Sequence, residues 1–161
     1  MVVIVMGVSG SGKSSVAQAL ARKLQWEFLD ADSFHSPSNV AKMKAGIPLT
    51  DEDRAPWLDA LRHEIELTLA GAGSLALACS ALKQAYRERL LVGSEVKLVY
   101  LWGDFELLRQ RLRLRSGHFM TEQLLASQFA TLEEPADAIK VDIREPVEEI
   151  VTQICRELDL R

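Results

Sequence analysis

Residues 2–14 read Val2-Val3-Ile4-Val5-Met6-Gly7-Val8-Ser9-Gly10-Ser11-Gly12-Lys13-Ser14, a strand pattern that runs directly into a glycine-rich turn. The stretch from Val2 to Met6 is apolar on both faces and mostly β-branched, which predicts a strand in the middle of a parallel sheet. The next residues, 7–14, match the pattern G-x-x-x-x-G-K-[ST], and an amphipathic helical pattern follows from Lys13 to Leu24. This order of strand, motif and helix predicts a phosphate-binding loop rather than an ordinary glycine-serine turn.

The residue types of this loop suit a nucleoside triphosphate. Glycines let the backbone wrap a phosphate with its N–H groups pointing inward, and the helix N-terminus adds about half a positive charge. Lys13 can reach the β- and γ-phosphates as a catalytic cation, and the Ser14 hydroxyl can coordinate Mg²⁺. We predict that ATP contacts the residues of the loop and the next serine, namely Gly7, Val8, Ser9, Gly10, Ser11, Gly12, Lys13, Ser14 and Ser15.

Strand and helix patterns alternate along the rest of the chain. Strands are predicted at 2–6, 26–29, 75–79, 97–102 and 139–143, and helices at 13–24, 38–44, 53–69, 82–91, 105–115, 121–132 and 146–158. Buried strands separated by helices predict an α/β fold of three layers (α/β/α), in which helices cover both faces of a five-stranded parallel sheet. No repeat or long linker interrupts this pattern, so we expect residues 1–161 to form a single P-loop NTPase domain.

The composition argues against several classes of protein. The 161 residues are 48% hydrophobic and 26% charged, which is typical of one globular domain and not of a disordered chain or coiled coil. The net charge of -4 provides no general attraction for nucleic acid or an anionic membrane, and no segment is long and apolar enough to cross a bilayer. Cys79 and Cys155 cannot form a disulfide framework or a four-ligand zinc site, and we expect both to pack inside a reduced cytoplasmic protein.

Two acidic residues follow the second predicted strand, in the segment Asp30-Ala31-Asp32. The third strand ends at Cys79-Ser80, where many P-loop ATPases carry the acidic residue that organises Mg²⁺, so another carboxylate must take that role. If the first two strands are neighbours, both aspartates lie beside the phosphate loop, and residues two apart on a strand end point the same way. One could hold a magnesium-bound water and the other accept a hydroxyl proton, whereas the alternative is a polar loop that caps the next helix.

Further motifs follow in order along the chain. They are residues 6–14; Leu29 to Asp32 with His35; Asn39, Lys42-Met43, Gly46 and Pro48-Leu49; residues 51–58; Cys79 to Lys83; Tyr86-Arg87; Gly117 to Phe119; Ser127 to Phe129; and Leu132-Glu133-x-Pro135. In these motifs the chain resembles the gluconate kinases (gluconokinases), small phosphate-loop kinases related to shikimate kinase and adenylate kinase. The resemblance extends over nearly the whole length and implies a fold of the nucleoside-monophosphate-kinase type.

This resemblance implies an activity and a role for individual residues. The activity is the ATP-dependent phosphorylation of D-gluconate to 6-phospho-D-gluconate, with Mg²⁺ held by Ser14 and, as its partner, Asp30. By likeness to shikimate kinase, Asp32 is the catalytic residue that contacts the reacting hydroxyl and accepts its proton. A guanidinium suits a substrate carboxylate through two parallel hydrogen bonds. The resemblance assigns substrate binding to Asp32, His35, Arg54, Lys83 and Arg87.

An arginine-rich segment, residues 109–115, points to a second nucleotide contact. Arg111 and Arg115 are four residues apart and share one helix face, from which Arg109 and Arg113 are absent. In the family such a pair serves ATP, so the resemblance implies that Arg111 stacks on adenine and that Arg115 is a catalytic contact to the transferring phosphate. A lid of about residues 111–135 would then exclude water from the reaction.

The acceptor-side residues also allow simpler interpretations. Residues 51–54 could serve only as a helix cap, with Thr50 or Asp53 as the N-cap and Pro56 in the first turn. Trp57 is more typical of a core residue than of a stacking platform.

Three features of the sequence depart from the family pattern. Ala31 stands where the family usually has glycine, Ser36 separates His35 from Pro37, and the segment 136–140 is shorter than in relatives.

Two alternative functions stay open. One is a related kinase that acts on another acceptor, such as shikimate, and the other is a non-catalytic ATP-binding regulatory module. The resemblance also implies a possible homodimer.

Overall fold

A five-stranded parallel sheet forms the middle of the structure, a computed structural model that describes residues 1–114 and 122–161. Its strands are β1 (Val2–Met6), β2 (Glu27–Asp30), β3 (Leu75–Ala78), β4 (Val96–Trp102) and β5 (Ile139–Asp142). They pair in the order β2-β3-β1-β4-β5, and every pair is parallel. The predicted parallel sheet is confirmed.

Helices cover both faces of this sheet. Within the described ranges they are α1 (Lys13–Leu24), α2 (Pro37–Lys44), α3 (Asp51–Ala70), α4 (Gln84–Leu90), α5 (Phe105–Leu114), α6 (Glu122–Thr131) and α7 (Val147–Glu157), together with a short 3-10 helix, Ala31–Phe34. Along β1, Val3 and Val5 join the core formed with α1 and α7, whereas Val2 and Ile4 join the core formed with α3 and α4. Both faces of β1 are buried because each packs against helices, as the all-apolar strand predicts.

The first two strands of the chain, β1 and β2, are not neighbours in the sheet. Neighbouring strands were the condition under which both aspartates were expected beside the phosphate loop. Strand β3 lies between β1 and β2, since Leu75 is opposite Val2 on one side and Glu27 on the other. Asp32 also lies in the 3-10 helix and not on β2, so the alternation of strand side chains does not set its direction. Asp30 still reaches the phosphate loop because the carboxyl ends of parallel strands meet at one edge of the sheet.

Helix α3 begins at Asp51, two residues before its predicted start, and Thr50 is its N-cap. The Thr50 hydroxyl accepts a hydrogen bond from the Asp53 N–H, and the Asp53 carboxylate accepts one from the Thr50 N–H, which forms a capping box. The Thr50 N–H and the ammonium group of Lys42 lower the pKa of Asp53 to about 2. Pro56 lies inside the helix and not in its first turn, which corrects the predicted position.

Both cysteines are buried and unpaired, as predicted. Burial raises the pKa of Cys79, at the end of β3, to about 12 and keeps its thiol protonated near neutral pH. Of the helices in the described ranges, none combines the length and the apolar character that a membrane span requires.

Candidate active site

The loop between β1 and α1 has the backbone that a phosphate cradle requires. Gly12, the residue before α1, has a φ of 96°, a left-handed conformation that favours glycine. Gly7 has a φ of 154°, and a Cβ there would lie 2.7 Å from Ser11 Oγ and 3.1 Å from the carbonyl oxygen of Leu101. The turn therefore needs glycine at position 7 for lack of space and at position 12 for its backbone conformation.

Lys13 begins α1 and turns back over the loop. Its Nζ donates a hydrogen bond to the carbonyl oxygen of Val8 at 3.1 Å. Burial lowers the pKa of Lys13, and the nearby carboxylates of Asp32 and Asp30 act in the opposite direction. A lysine held over the loop with acidic neighbours is positioned to pair with phosphate oxygens.

Asp30 and Ser14 join the second strand to the phosphate loop. Ser14 Oγ donates a hydrogen bond of 2.8 Å to Asp30 Oδ2, while Asp30 Oδ1 accepts one of 2.9 Å from the Asp32 N–H. Among the described residues, no group of three His, Cys, Asp or Glu side chains forms a metal site. A hydroxyl and a carboxylate nonetheless suit Mg²⁺, which commonly takes one or two protein oxygens and completes its shell with phosphates and water.

The carboxylate of Asp32 differs from an ordinary surface aspartate. Surrounding protein atoms and the negative charge of Asp30 raise its pKa, and the ammonium group of Lys13 offsets part of this effect. The side chain is still exposed, because it faces an open cavity. A carboxylate with a raised pKa and access to a cavity is a suitable acceptor for a substrate proton.

This cavity has a volume of about 410 Å³ and lies between the phosphate loop and α6. Its residues come from the phosphate loop, the 3-10 helix and the residue after it, α2 and the α2–α3 connection, the start of α3, the β3–α4 connection and α6. Among the residues that line it are Ser9, Lys13, Asp32, His35, Asp51, Arg54, Trp57, Lys83, Ser127 and Gln128. The cavity thus brings together the predicted phosphate-binding end of the loop and most of the predicted substrate ligands.

Arg54 and Lys83 supply positive charge to the wall opposite the loop. Arg54 Nη1 donates to the carbonyl oxygen of Leu49 at 2.6 Å and to the Tyr86 hydroxyl at 3.2 Å. Lys83 Nζ donates to Asp51 Oδ1 at 3.1 Å, and the Tyr86 hydroxyl donates to that same oxygen at 2.5 Å. Sequence reasoning assigned no site role to Asp51 or Tyr86, although both stand in the motifs that carry the family resemblance.

His35 lies flat against Trp57. The ring centroids are 4.3 Å apart at an interplanar angle of 11°, and Trp57 Nε1 donates to the carbonyl oxygen of Ala31 at 2.7 Å. Trp57 is 4% exposed, so its predicted core position is confirmed, and it supports His35 as well. Burial, and to a lesser degree the charge of Arg54, lowers the pKa of His35 to about 4. The imidazole is therefore neutral near pH 7 and can exchange hydrogen bonds with a hydroxyl.

Arg87 does not line the cavity, unlike the four other predicted substrate-binding residues, and its role in substrate binding stays a prediction. Its guanidinium is buried and donates to the carbonyl oxygens of three residues, Ala81, Leu82 and Glu133, at 2.7 to 3.1 Å. These bonds tie the β3–α4 connection to the chain that follows α6. Arg87 therefore affects the cavity indirectly, because its hydrogen bonds hold the backbone of the segments that form the cavity wall.

The arginines of α5 have different partners: one binds the backbone just after β5, and another forms an ion pair on the surface. Arg111 Nη2 donates to the carbonyl oxygen of Ile143, just after β5, at 2.7 Å. Arg113 pairs with Glu122 at the start of α6, 2.9 Å away. Arg115 and residues 116–121 of the predicted lid lie outside the described residues, so the catalytic role of Arg115 stays a prediction.

Helix α6 contributes a contact that sequence reasoning missed. Gln128 Oε1 accepts a hydrogen bond of 2.7 Å from the backbone N–H of Ser9, in the phosphate loop. Gln128 stands in the motif Ser127-Gln128-Phe129, and this motif was the available signal. The contact brings α6 against the loop at the wall of the cavity, which Ser9 and Gln128 both line.

Phosphoryl transfer from a nucleotide needs a phosphate cradle, a cation and a proton acceptor, and these meet here at the carboxyl edge of a parallel sheet. Fold and site together define a P-loop kinase of small molecules. The family described as AAA domain matches residues 2–135.

Comparison with known proteins identifies the family more closely. A probable gluconokinase from Xenopus tropicalis is 44% identical over 179 residues, which cover 99% of this chain and 94% of that protein. Among solved structures, a sugar kinase from Janibacter sp. HTCC2649 is 45% identical with a TM-score of 0.92, over 99% of this chain and 94% of that one. A gluconokinase from Sinorhizobium meliloti 1021 is 41% identical with a TM-score of 0.87, over 98% of this chain and 90% of that one. The chain belongs to the gluconokinase family.

Proposed function

We propose that this chain transfers the γ-phosphoryl group of ATP to the 6-hydroxyl of D-gluconate, producing ADP and 6-phospho-D-gluconate. The observation that carries the proposal is the cavity, which joins Lys13 and Ser9 of the phosphate loop to Asp32 and, on another wall, to Arg54 and Lys83. Family membership supports the same acceptor, because the relatives are gluconokinases.

The acceptor's shape and charge match this cavity. Gluconate is a linear acid with a carboxylate at one end and a hydroxyl at the other, and a volume of about 410 Å³ is within the range of small-molecule pockets. The carboxylate pairs with Arg54 and Lys83, where it competes with Asp51 for the lysine. The neutral imidazole of His35 then bonds a hydroxyl along the chain.

Proton transfer falls to Asp32. As the 6-hydroxyl oxygen forms its bond to the γ-phosphorus, the hydroxyl proton passes to the Asp32 carboxylate. The bond between the γ-phosphorus and the bridging oxygen breaks, and its electron pair leaves with ADP. The raised pKa of Asp32 supports this role, because a base is most effective when its pKa approaches the working pH.

Ser14 and Asp30 are the residues that would hold Mg²⁺. The metal, when bound, neutralises charge on the phosphate oxygens. Lys13 supplies positive charge from the loop side, and Arg111 has the role of a contact to adenine that the family resemblance implies. Arg115 completes the set as a predicted phosphate contact.

ADP release over a panel of acceptors tests the proposal. Gluconate, glucose and shikimate are supplied separately to the same enzyme with ATP and Mg²⁺. Glucose should be ignored, because it has no carboxylate for Arg54 and Lys83 to bind. Comparable turnover with glucose contradicts the proposal, turnover with shikimate alone favours a related kinase, and ATP binding without any turnover favours a regulatory module.

Three further properties stay predictions. They are a homodimer, a cytoplasmic location and a part in gluconate utilisation. Light scattering of the purified chain measures the first, and fractionation of the source cells the second. Growth of a strain that lacks this chain, with gluconate as the carbon source, measures the third.

A further inference from the structure

The contact between Gln128 and Ser9 lies at the boundary of the two substrates. Ser9 and Lys13 are the phosphate-loop residues that line the acceptor cavity, so the N–H of Ser9 belongs to the face of the loop that the γ-phosphoryl group must share with the acceptor. Gln128 lines the cavity as well, and its Oε1 is 2.7 Å from that N–H. An oxygen of Gln128 therefore occupies a hydrogen-bond position suited to a phosphate oxygen.

The position of α6, which carries Gln128, is set by packing against the core. Leu125 is 1% exposed and belongs to the core, and the ring of Phe129 packs edge-on against Phe105 at a centroid distance of 5.4 Å. Just beyond the helix, the Glu133 N–H donates to the carbonyl oxygen of Leu82 at 2.8 Å. The contact with Ser9 is thus made by a half-buried side chain on a helix that is packed into the protein.

We propose that Gln128 is a further catalytic residue of this site, whose amide donates a hydrogen bond to the transferring phosphoryl group. A primary amide can accept through Oε1 and donate through Nε2, so it can exchange the Ser9 N–H for a phosphoryl oxygen by turning about its last bond. The donor then faces charge on the phosphoryl oxygens while the bond to ADP breaks and the bond to the acceptor oxygen forms. This inference rests on the proposed function for the identity of the acceptor.

Two substitutions at one position separate this role from a purely structural one. Gln128→Leu removes both the donor and the acceptor, and we expect kcat to fall about 100-fold, as when a preorganised donor to a transition state is deleted. Gln128→Glu keeps an oxygen for the Ser9 N–H but places a negative charge against phosphate. If the amide donates to the phosphoryl group, the glutamate variant should be at least as slow as the leucine variant.

Gln123 is the matched control, because it lies exposed on the same helix. Steady-state kinetics with gluconate and ATP are measured for Gln128→Leu, Gln128→Glu and Gln123→Leu, with thermal unfolding of each. Near-native kcat in Gln128→Glu combined with a slow Gln128→Leu would show that the side chain only holds Ser9, and would overturn the proposal. Native kcat in both would overturn it as well. Failure of the unsubstituted enzyme on gluconate contradicts the proposed function instead, and the same variants are then compared on the acceptor that it does use.

Discussion

Ser14 Oγ and Asp30 Oδ2 are 2.8 Å apart, although strand β3 separates the strands that precede them. Ser14 lies in the first turn of α1 and Asp30 ends β2, so their contact connects the phosphate loop to the acidic segment that follows the second strand. The other oxygen of Asp30 holds the backbone N–H of Asp32. One carboxylate thereby positions both the predicted metal ligand and the predicted base.

Asp30→Asn and Asp32→Asn should therefore fail in different ways. The first weakens the pair with Ser14, so it should raise the magnesium concentration needed for half-maximal rate. The second should lower kcat far more than ATP affinity, because an amide cannot accept the hydroxyl proton. Magnesium titration of both variants is the measurement, and the reverse pattern would exchange the two roles.

The pH dependence of the rate should follow Asp32. Its raised pKa means that protonation, and loss of the base, begins at a higher pH than for an ordinary aspartate. The value of kcat/KM should then fall as pH decreases through this raised pKa. An acid limb of the pH profile that is unchanged in Asp32→Asn would rule out Asp32 as the base.

The raised pKa of Asp32 has the opposite effect on the stability of the fold. A carboxyl whose pKa is raised in the folded state destabilises that state once the pH exceeds the pKa of the unfolded state. Asp32→Asn should accordingly unfold at a slightly higher temperature than the native enzyme at pH 7.

Lys13→Ala should remove activity and leave the fold intact. The side chain lies over the loop and in the cavity wall, outside the two hydrophobic cores. Loss of a donor that stabilises transition-state charge costs on the order of 100- to 1000-fold in rate. Turnover and thermal unfolding, measured on the same preparation, separate a lost phosphate contact from a collapsed structure. A large fall in unfolding temperature would make the residue structural.

Arg54 and Arg87 form an informative pair, since both were predicted to bind the substrate carboxylate and only Arg54 lines the cavity. Arg54→Met should raise KM for gluconate with little change in stability. Arg87→Met should lower the free energy of unfolding by about 1–3 kcal/mol for each buried carbonyl that is left without a donor. Chemical denaturation and acceptor kinetics of the two variants provide the comparison. A stable Arg87→Met with a large KM increase would restore its predicted substrate role.

Arg115→Lys should not be a conservative change. A guanidinium meets phosphate oxygens with a planar fork, whereas lysine offers a point charge, so turnover should fall with little effect on gluconate binding. Arg113→Lys is the control, because Arg113 pairs with Glu122 on an exposed face. Equal losses in the two variants would mean that the arginine cluster acts as a whole.

Local sequence determined the elements of the fold and the loop. The all-apolar β1, the G-x-x-x-x-G-K-[ST] motif and the helical period after it depend only on residues close together in the chain, and they predicted the strand, turn and helix in place. The acidic pair was also found, because Asp30 and Asp32 follow a strand whose end is marked by its own pattern. Thr50 and Asp53 were recognisable as cap residues for the same reason.

Tertiary structure alone decided how these pieces meet. The insertion of β3 between β1 and β2, the backbone contacts of Arg87 and the bond between Ser9 and Gln128 join residues far apart in the chain; the last pair is separated by 119 positions. No local pattern encodes such contacts, because they depend on which buried faces pack together and on which carbonyl groups are then left without donors. Arg87 has the residue type of a carboxylate ligand, yet its burial beside backbone carbonyl oxygens directs it to the backbone. Gln128 has an ordinary helical residue type, and only the packing of α6 brings its amide to the phosphate loop.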